Sequence, residues 1–105
     1  MNILALDLGT SSVRGLVLDA DTQPLPGALA RRKVDLAIGD DGTGTLSGRD
    51  YLASLVECLD ELAESGHLHD VGLVAVSAQW HSVLPLDRDG APLGPVVTWL
   101  DTRPA

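Results

Sequence analysis

Two short stretches of the chain carry residue types that can handle phosphate and polyhydroxylic ligands. The first is Asp7-Leu8-Gly9-Thr10-Ser11-Ser12. A carboxylate stands at the end of an apolar run, a glycine lets the backbone pass close to a ligand, and hydroxyls with a row of N–H groups follow. Such a turn can hold a phosphoryl group through backbone donors, and Mg²⁺ through Asp7, directly or through water. The same residues also suit an ordinary β-hairpin. The second stretch is Ser77-Ala78-Gln79-Trp80-His81-Ser82. Gln79 and His81 can hydrogen-bond hydroxyls, and Trp80 can offer an apolar face to a sugar ring. Taken alone, it reads more simply as a core tryptophan beside a satisfied surface histidine.

The elements that must position these residues are legible in outline. Ile3 to Leu8 is a short apolar run, expected to be a strand buried on both faces. Val13 to Leu18 follows after so tight a turn that the two strands must form an antiparallel hairpin. Leu25 to Leu36 is a third strand opened by Pro24 and Pro26; its Arg31-Arg32-Lys33 reads as a solvated face or edge-strand protection. Gly39 to Gly48 reads as a loop. Within it Gly42-Thr43-Gly44 is no phosphate loop, because neither a preceding buried strand nor a following Lys-Ser/Thr is present.

Ser47 with Asp50 three residues on is a variant capping box. Leu52, Leu55, Val56, Leu59, Leu62 and Ala63 then recur at helical spacing, and Gly66 supplies the stop. Val71 to Val76 is apolar throughout and is expected to be a strand buried on both faces, reached by a crossover into a parallel neighbour. Ser82 to Leu86 and Val96 to Trp99 are further short strands, and Asp89-Gly90 is a turn. The order β-β-β-α-β, with helix cover on one side only, leaves one sheet face bare and an edge for more strands.

Composition narrows the function classes. A chain of 105 residues is one domain or a piece of one. Its net charge of -8 argues against nucleic acid and anionic membrane surfaces as partners. The single cysteine, Cys58, forms no intrachain disulfide and falls on the apolar helix face, as a buried core thiol does. No apolar run reaches membrane-spanning length, and Met1-Asn2-Ile3-Leu4 has no basic n-region; a cytoplasmic protein is expected. His67 and His69 read as exposed loop residues.

Asp-X-Gly-Thr-Ser-Ser at the N-terminus, followed by Val13-Arg14, resembles the first phosphate motif of the actin-like ATPase superfamily. Asp87-Arg88-Asp89-Gly90-Ala91-Pro92-Leu93, then Val96-Val97-Thr98-Trp99-Leu100-Asp101-Thr102-Arg103, is similar to FGGY carbohydrate kinases. There a Ser-X-Gln-Met-His segment precedes a strand, an Asp-Gly turn, Pro-Leu and a Trp-X-Asp-X-Arg element. The resemblance implies an α/β fold: part of an actin-like (ribonuclease H-like) domain, residues 1–105 being the N-terminal portion of the first kinase lobe. It implies ATP and Mg²⁺, with Asp7 at the metal and Gly9, Thr10, Ser11, Ser12 and Arg14 at the phosphates. It places Gln79, Trp80, His81, Trp99, Asp101 and Arg103 at the substrate, a sugar, sugar acid or polyol. Trp80 stands where the family usually has Met, and the following His81-Ser82 leans toward gluconate-type members, with xylulose-type members similar.

The family's general-base Asp, second phosphate motif and adenosine pocket are expected beyond Ala105, so the chain alone is expected to be inactive. A second expectation is a non-catalytic remnant that binds a ligand or a partner lobe; its bare face and edge favour self-association, in the simplest case a homodimer. A chaperone or cytoskeletal relative fits the first motif but leaves Gln79-Trp80-His81 and Trp99 to Arg103 unexplained.

Overall fold

The computed structural model describes residues 1–103. Its strands are β1 (Asn2–Leu8), β2 (Ser12–Leu18), β3 (Pro24–Lys33), β4 (Ala37–Ile38), β5 (Gly44–Leu46), β6 (Val71–Ala78) and β7 (Val96–Val97), with one helix, α1 (Gly48–Glu64). A mixed sheet has the order β3-β2-β1-β6, and a small second sheet the order β4-β5-β7. β1 and β2 form the expected antiparallel hairpin, with Asp7 opposite Arg14 and Leu8 opposite Val13. β1 and β6 are parallel and end together, Leu8 beside Ala78.

The helix boundaries follow the sequence signals. Ser47 Oγ accepts the Asp50 N–H at 3.2 Å. At the other end Gly66 takes φ +80°. There Gly66 N–H donates to the Ala63 carbonyl and His67 N–H to the Leu62 carbonyl, the paired bonds of a Schellman stop. α1 lies over β2 and β3. Leu62 and Cys58 enter the core with Leu4, Val13, Val17, Ala28 and Ala30. Cys58 is fully buried as expected, and burial pushes its thiol pKa up, which suppresses thiolate chemistry. Gly15 sits beneath the helix, where a Cβ would come within 3.0 Å of Leu62 Cδ1.

The structure corrects several expectations. β6 is not buried on both faces: every residue after Val71 is exposed. It forms one edge of the sheet, and the helix covers the opposite half, so Val74 and Val76 have no covering element among the described residues. β1 is likewise half-buried except at Leu4. The helix residues also divide, because Leu52, Val56 and Ala63 point away from the core that holds Cys58 and Leu62. The stretch read as a loop from Gly39 to Gly48 contains β5, whose three residues are all buried. Ser82 to Leu86 forms isolated bridges, Val83 to Val97 and Leu86 to Pro92, rather than a strand.

Two features stand as read. The sheet face opposite the helix is bare, with Leu29 and Leu73 exposed on it. β3 is the other edge strand, where proline costs no ladder bond. Arg31 and Lys33 are exposed, but Arg32 turns to the helix and reaches Glu57 at 3.2 Å and Glu61 at 3.5 Å. His69 is exposed, whereas His67 is half-buried and its Nδ1 pairs with Ser65 Oγ at 2.7 Å.

Candidate functional site

The parallel pairing of β1 with β6 puts the two chemistry-bearing segments at one end of the sheet. Where parallel strands end, side chains and loop backbones are presented to a ligand rather than to the core. Gly9 N–H donates to the Ser12 carbonyl at 3.1 Å, and a Cβ on Gly9 would lie 3.0 Å from that oxygen, so the turn needs glycine. Three donors then hold this turn, one from α1 and two from the second segment. Tyr51 Oη donates to the Gly9 carbonyl at 2.7 Å, Gln79 Nε2 approaches the same carbonyl at 3.5 Å, and Gln79 N–H donates to the Leu8 carbonyl at 2.9 Å. Ser82 Oγ donates to Gln79 Oε1 at 2.9 Å and fixes the amide.

Asp7 and Arg14 form an ion pair across the hairpin. They stand on the bare sheet face and line a groove of about 570 Å³ with Ala5, Leu16, Ala75 and Ser77. Of the hydroxyl residues in the turn, Ser11 is exposed, Thr10 half-buried and Ser12 buried. Thr10 and Ser11 open into a separate groove shared with Lys33 and Leu100.

His81 lines a third groove, of about 620 Å³, with Ser82, Val97, Trp99 and Asp101. His81 takes φ +54°, a left-handed conformation uncommon for a residue with a Cβ. Such outliers persist where surrounding structure enforces them; here Val83 exchanges both backbone bonds with Val97 at 2.9 Å just beyond the turn. Trp80 is 78% exposed and lies outside this groove, edge-on to His81 with centroids 6.2 Å apart.

The segment from Thr98 to Arg103 docks on β5 and the turn before it. Thr98 N–H and Oγ1 both donate to the Gly44 carbonyl, at 3.0 and 2.7 Å. The Asp101 side chain is inaccessible to solvent. Its Oδ2 accepts the Gly44 N–H at 3.0 Å, its Oδ1 accepts the Arg103 N–H at 3.0 Å, and Arg103 Nε and Nη2 donate to the carboxylate at 3.0 and 2.6 Å. The Arg103 guanidinium and the Gly44 N–H hold the Asp101 carboxyl well below the usual carboxylate range. The Thr43 hydroxyl and N–H lower Asp41 as well.

A carboxyl whose folded pKa is depressed stabilises the fold above its unfolded value, near 3.9, and loses that contribution as pH falls through the folded value. Asp101→Asn is therefore expected to lower unfolding free energy by a constant amount between about pH 7 and 5. The gap from wild type should close below about pH 4. Denaturant titrations at stepped pH measure it, and a gap that widens toward acid contradicts the assignment.

The proposed residues thus fall into neighbouring grooves rather than one: Asp7 with Arg14, Thr10 with Ser11, and His81 with Trp99 and Asp101. Gln79 faces the Gly9 turn and Trp80 faces solvent. Sequence reasoning missed Tyr51, Gly42 and Gly44. The repeated glycines of Gly42-Thr43-Gly44 were the available signal, since a glycine in a strand often marks a close backbone approach; Gly44 opens β5, and Gly42 lies in the turn before it. No group of three or more metal-ligating side chains occurs among the described residues, and no helix among them is long and apolar enough to cross a membrane.

Comparison with known proteins adds an independent line. A sequence profile described as the FGGY family of carbohydrate kinases, N-terminal domain, matches residues 2–105. A xylulose kinase of Arthrobacter sp. (strain NRRL B3728) is 32% identical over 103 residues, 98% of this chain and 97% of that protein. Glycerol kinase 1 of Pseudomonas aeruginosa is 31% identical over 98% of this chain but only 21% of its own length. Other curated xylulose kinases are likewise matched over about a fifth of their length, 20% for that of Streptomyces coelicolor. Among solved structures, a Brucella ovis protein described as a xyloylose kinase superposes with a TM-score of 0.88 at 26% identity, covering 98% of this chain and 22% of that one. Plasmodium falciparum glycerol kinase, solved with ADP, superposes at 0.86 and 21% identity over 97% of this chain and 21% of its own, a likeness of fold.

Proposed function

Because the chain belongs to the FGGY family of carbohydrate kinases, we propose that it is the N-terminal portion of the first lobe of an enzyme that transfers the γ-phosphoryl group of ATP to a hydroxyl of a sugar, sugar acid or polyol. The observation that carries this reading is the common end of β1 and β6. It sets the Gly9–Ser12 turn beside the Gln79–Ser82 segment, with Gln79 bonded to both Leu8 and Gly9. A donor turn and an acceptor groove at one sheet end are what direct phosphoryl transfer needs, because catalysis there is mostly positioning and charge stabilisation.

In this reading Gly9, Thr10, Ser11, Ser12 and Arg14 serve the ATP phosphates, while His81 and Trp99 line the acceptor groove, Gln79 ties that segment to the Gly9 turn, and the exposed Trp80 flanks it. Mg²⁺ fits the donor set: one hard carboxylate, Asp7, with the remaining coordination left to water and phosphate oxygens, as this ion commonly takes them. When bound, it would offset charge on the phosphates. Arg14 holds the Asp7 carboxylate in place from across the hairpin. The carboxylate that takes the acceptor's proton is proposed to lie outside residues 1–105, and the complete kinase to work in the cytoplasm. A gluconate or a pentulose is the proposed acceptor.

The test is a panel of sugars, sugar acids and polyols with the natural polypeptide that contains this chain, followed by acceptor-dependent ADP release. One acceptor should dominate. His81→Ala should raise the KM for that acceptor about tenfold with little change in the KM for ATP, the mark of lost binding to one substrate. ADP release independent of every acceptor, or a change confined to ATP, overturns the assignment. A second reading, a module that binds a partner lobe without catalysis, draws on the exposed Leu73, Val74 and Val76 of β6 and Leu52 and Val56 of α1. Sedimentation of a compact, non-associating monomer would count against it.

A further inference from the structure

Asp101 and Arg103 stand in the acceptor groove by sequence, yet the geometry leaves Asp101 nothing with which to hold an acceptor. Its side chain is wholly inaccessible, and both oxygens already accept bonds from Gly44 and Arg103. A carboxylate with its acceptor sites filled by fixed donors is a structural joint.

The opposite partner of this joint is backbone. A Cβ on Gly44 would lie 2.6 Å from the Asp101 nitrogen, 2.7 Å from the Leu100 carbonyl carbon and 2.9 Å from its oxygen. A Cβ on Gly42, at φ +96°, would collide with Thr102 Oγ1. The two glycines therefore form a surface against which residues 98–103 can lie flat, and Thr102 N–H donates to the Gly42 carbonyl at 2.9 Å to close it. Trp99 is the residue this arrangement suspends. Thr98 before it is buried and bonded to Gly44; Leu100 N–H after it donates to Thr98 Oγ1 at 3.3 Å, and Asp101 N–H donates to the Thr98 carbonyl at 3.0 Å. Trp99 is 54% exposed and lines the groove.

We infer that Asp101 and Arg103 are positioning residues: with Gly42 and Gly44 they form a seat that fixes Trp99 at the acceptor groove, and neither contacts the acceptor. The role of the groove rests on the kinase reading above; the seat itself does not. A bidentate guanidinium on a buried carboxylate gives orientation as well as attraction, which a lysine cannot reproduce.

The experiment has two arms. In the 105-residue chain, with Trp80→Phe so that Trp99 is the sole indole, Trp99 fluorescence anisotropy decay is measured alongside exchange of the Arg103 Nε–H with water. Slow exchange and restrained Trp99 motion are expected; the slow exchange should be lost in Asp101→Asn, and the restraint on Trp99 in both Asp101→Asn and Arg103→Lys, while circular dichroism is retained. Fast Nε–H exchange in the parent, or Trp99 motion unchanged by both variants, overturns the seat. If Asp101→Asn fails to fold, Arg103→Lys decides this arm alone.

In the kinase polypeptide, Arg103→Lys should raise the acceptor KM about tenfold, and by the same factor for deoxy analogues of the acceptor, because a displaced Trp99 affects them all. A loss that vanishes for one deoxy analogue would mean that Arg103 binds the missing hydroxyl, and the positioning role would fall. No acceptor-dependent activity in the parent would refute the kinase reading, and the spectroscopic arm would still decide the seat.

Discussion

Asp7→Ala in the kinase polypeptide is expected to lower turnover at saturating acceptor and ATP by about 10²–10³, the usual cost of removing one preorganised electrostatic group from such a site. Among the described residues, Asp7 is the only carboxylate lining the groove at the head of the Gly9–Ser12 turn, and its partner there is Arg14. Stability should hardly follow. Both side chains of the pair are nearly half exposed, at 45% and 48%, and exposed pairs contribute about 0–1 kcal/mol. Asp7→Asn separates the two effects further, because the amide keeps a hydrogen bond to Arg14 but loses the charge. Its turnover should fall nearly as far as that of Asp7→Ala, and the activity of each variant should shift toward higher Mg²⁺. The check is steady-state kinetics across a Mg²⁺ titration, with denaturant unfolding as the control. Turnover unchanged in Asp7→Ala would remove Asp7 from the metal and phosphate role.

What the sequence made legible depended on how local the signal was. The β1–β2 hairpin, the α1 caps and the Asp89-Gly90 turn each rest on a few adjacent residues, and all appear. In the turn, Asp87 Oδ1 accepts the N–H groups of Asp89 and Ala91 at 2.8 and 2.9 Å, and Gly90 takes φ +83°. The second sheet was legible only at β7, which lies inside the stretch read as a strand from Val96 to Trp99; β4 and β5 were missed for the opposite reason. β4 has two residues and β5 three, too few for any alternation to register. The pairing of β5 with β7 joins Thr45 to Val97 across half the chain. β6 shows another boundary of pattern reading. An apolar run states what surroundings the residues prefer, whereas the position of the strand decides what they receive; as an edge strand beyond the helix, β6 leaves Val76 60% exposed.

The site was legible in its residue types and less so in their arrangement. The Gly9 turn and the Gln79 segment were both singled out, but their contact comes from the parallel register of β1 on β6, which no local window contains. Asp101 is the sharpest case. By spacing it is one more polar residue after a tryptophan, equally able to bind a hydroxyl or tie a loop. Only the collision distances at Gly44 and the filled carboxylate separate the two; the first, and the Gly44 N–H that completes the second beside Arg103, come from a segment more than fifty positions away in the chain.

The same difference between pattern and placement sets the largest expected change in stability. By periodicity Leu52 and Leu62 belong to one apolar set on α1. In the fold Leu62 is 1% exposed, packed between the sheet and the helix, and Leu52 is 60% exposed. Leu62→Ala removes buried methyl groups and leaves a cavity above Gly15, where a Cβ would come within 3.0 Å of Leu62 Cδ1. Such truncations cost about 2–5 kcal/mol. Domains of this size have only roughly 5–15 kcal/mol in total. At roughly 4–8 °C per kcal/mol the unfolding midpoint should drop by some tens of degrees at the upper end. Leu52→Ala in the 105-residue chain should shift unfolding by less than about 0.5 kcal/mol, as changes at exposed positions do. Thermal and denaturant unfolding of the two variants side by side measures the helix register directly. Equal losses would mean that the exposed face of α1 is covered in solution, and equal indifference would mean that α1 does not pack on β2 and β3 as described. In the first case the covering surface should vanish on dilution if a second copy provides it, which makes protein concentration the next variable to change.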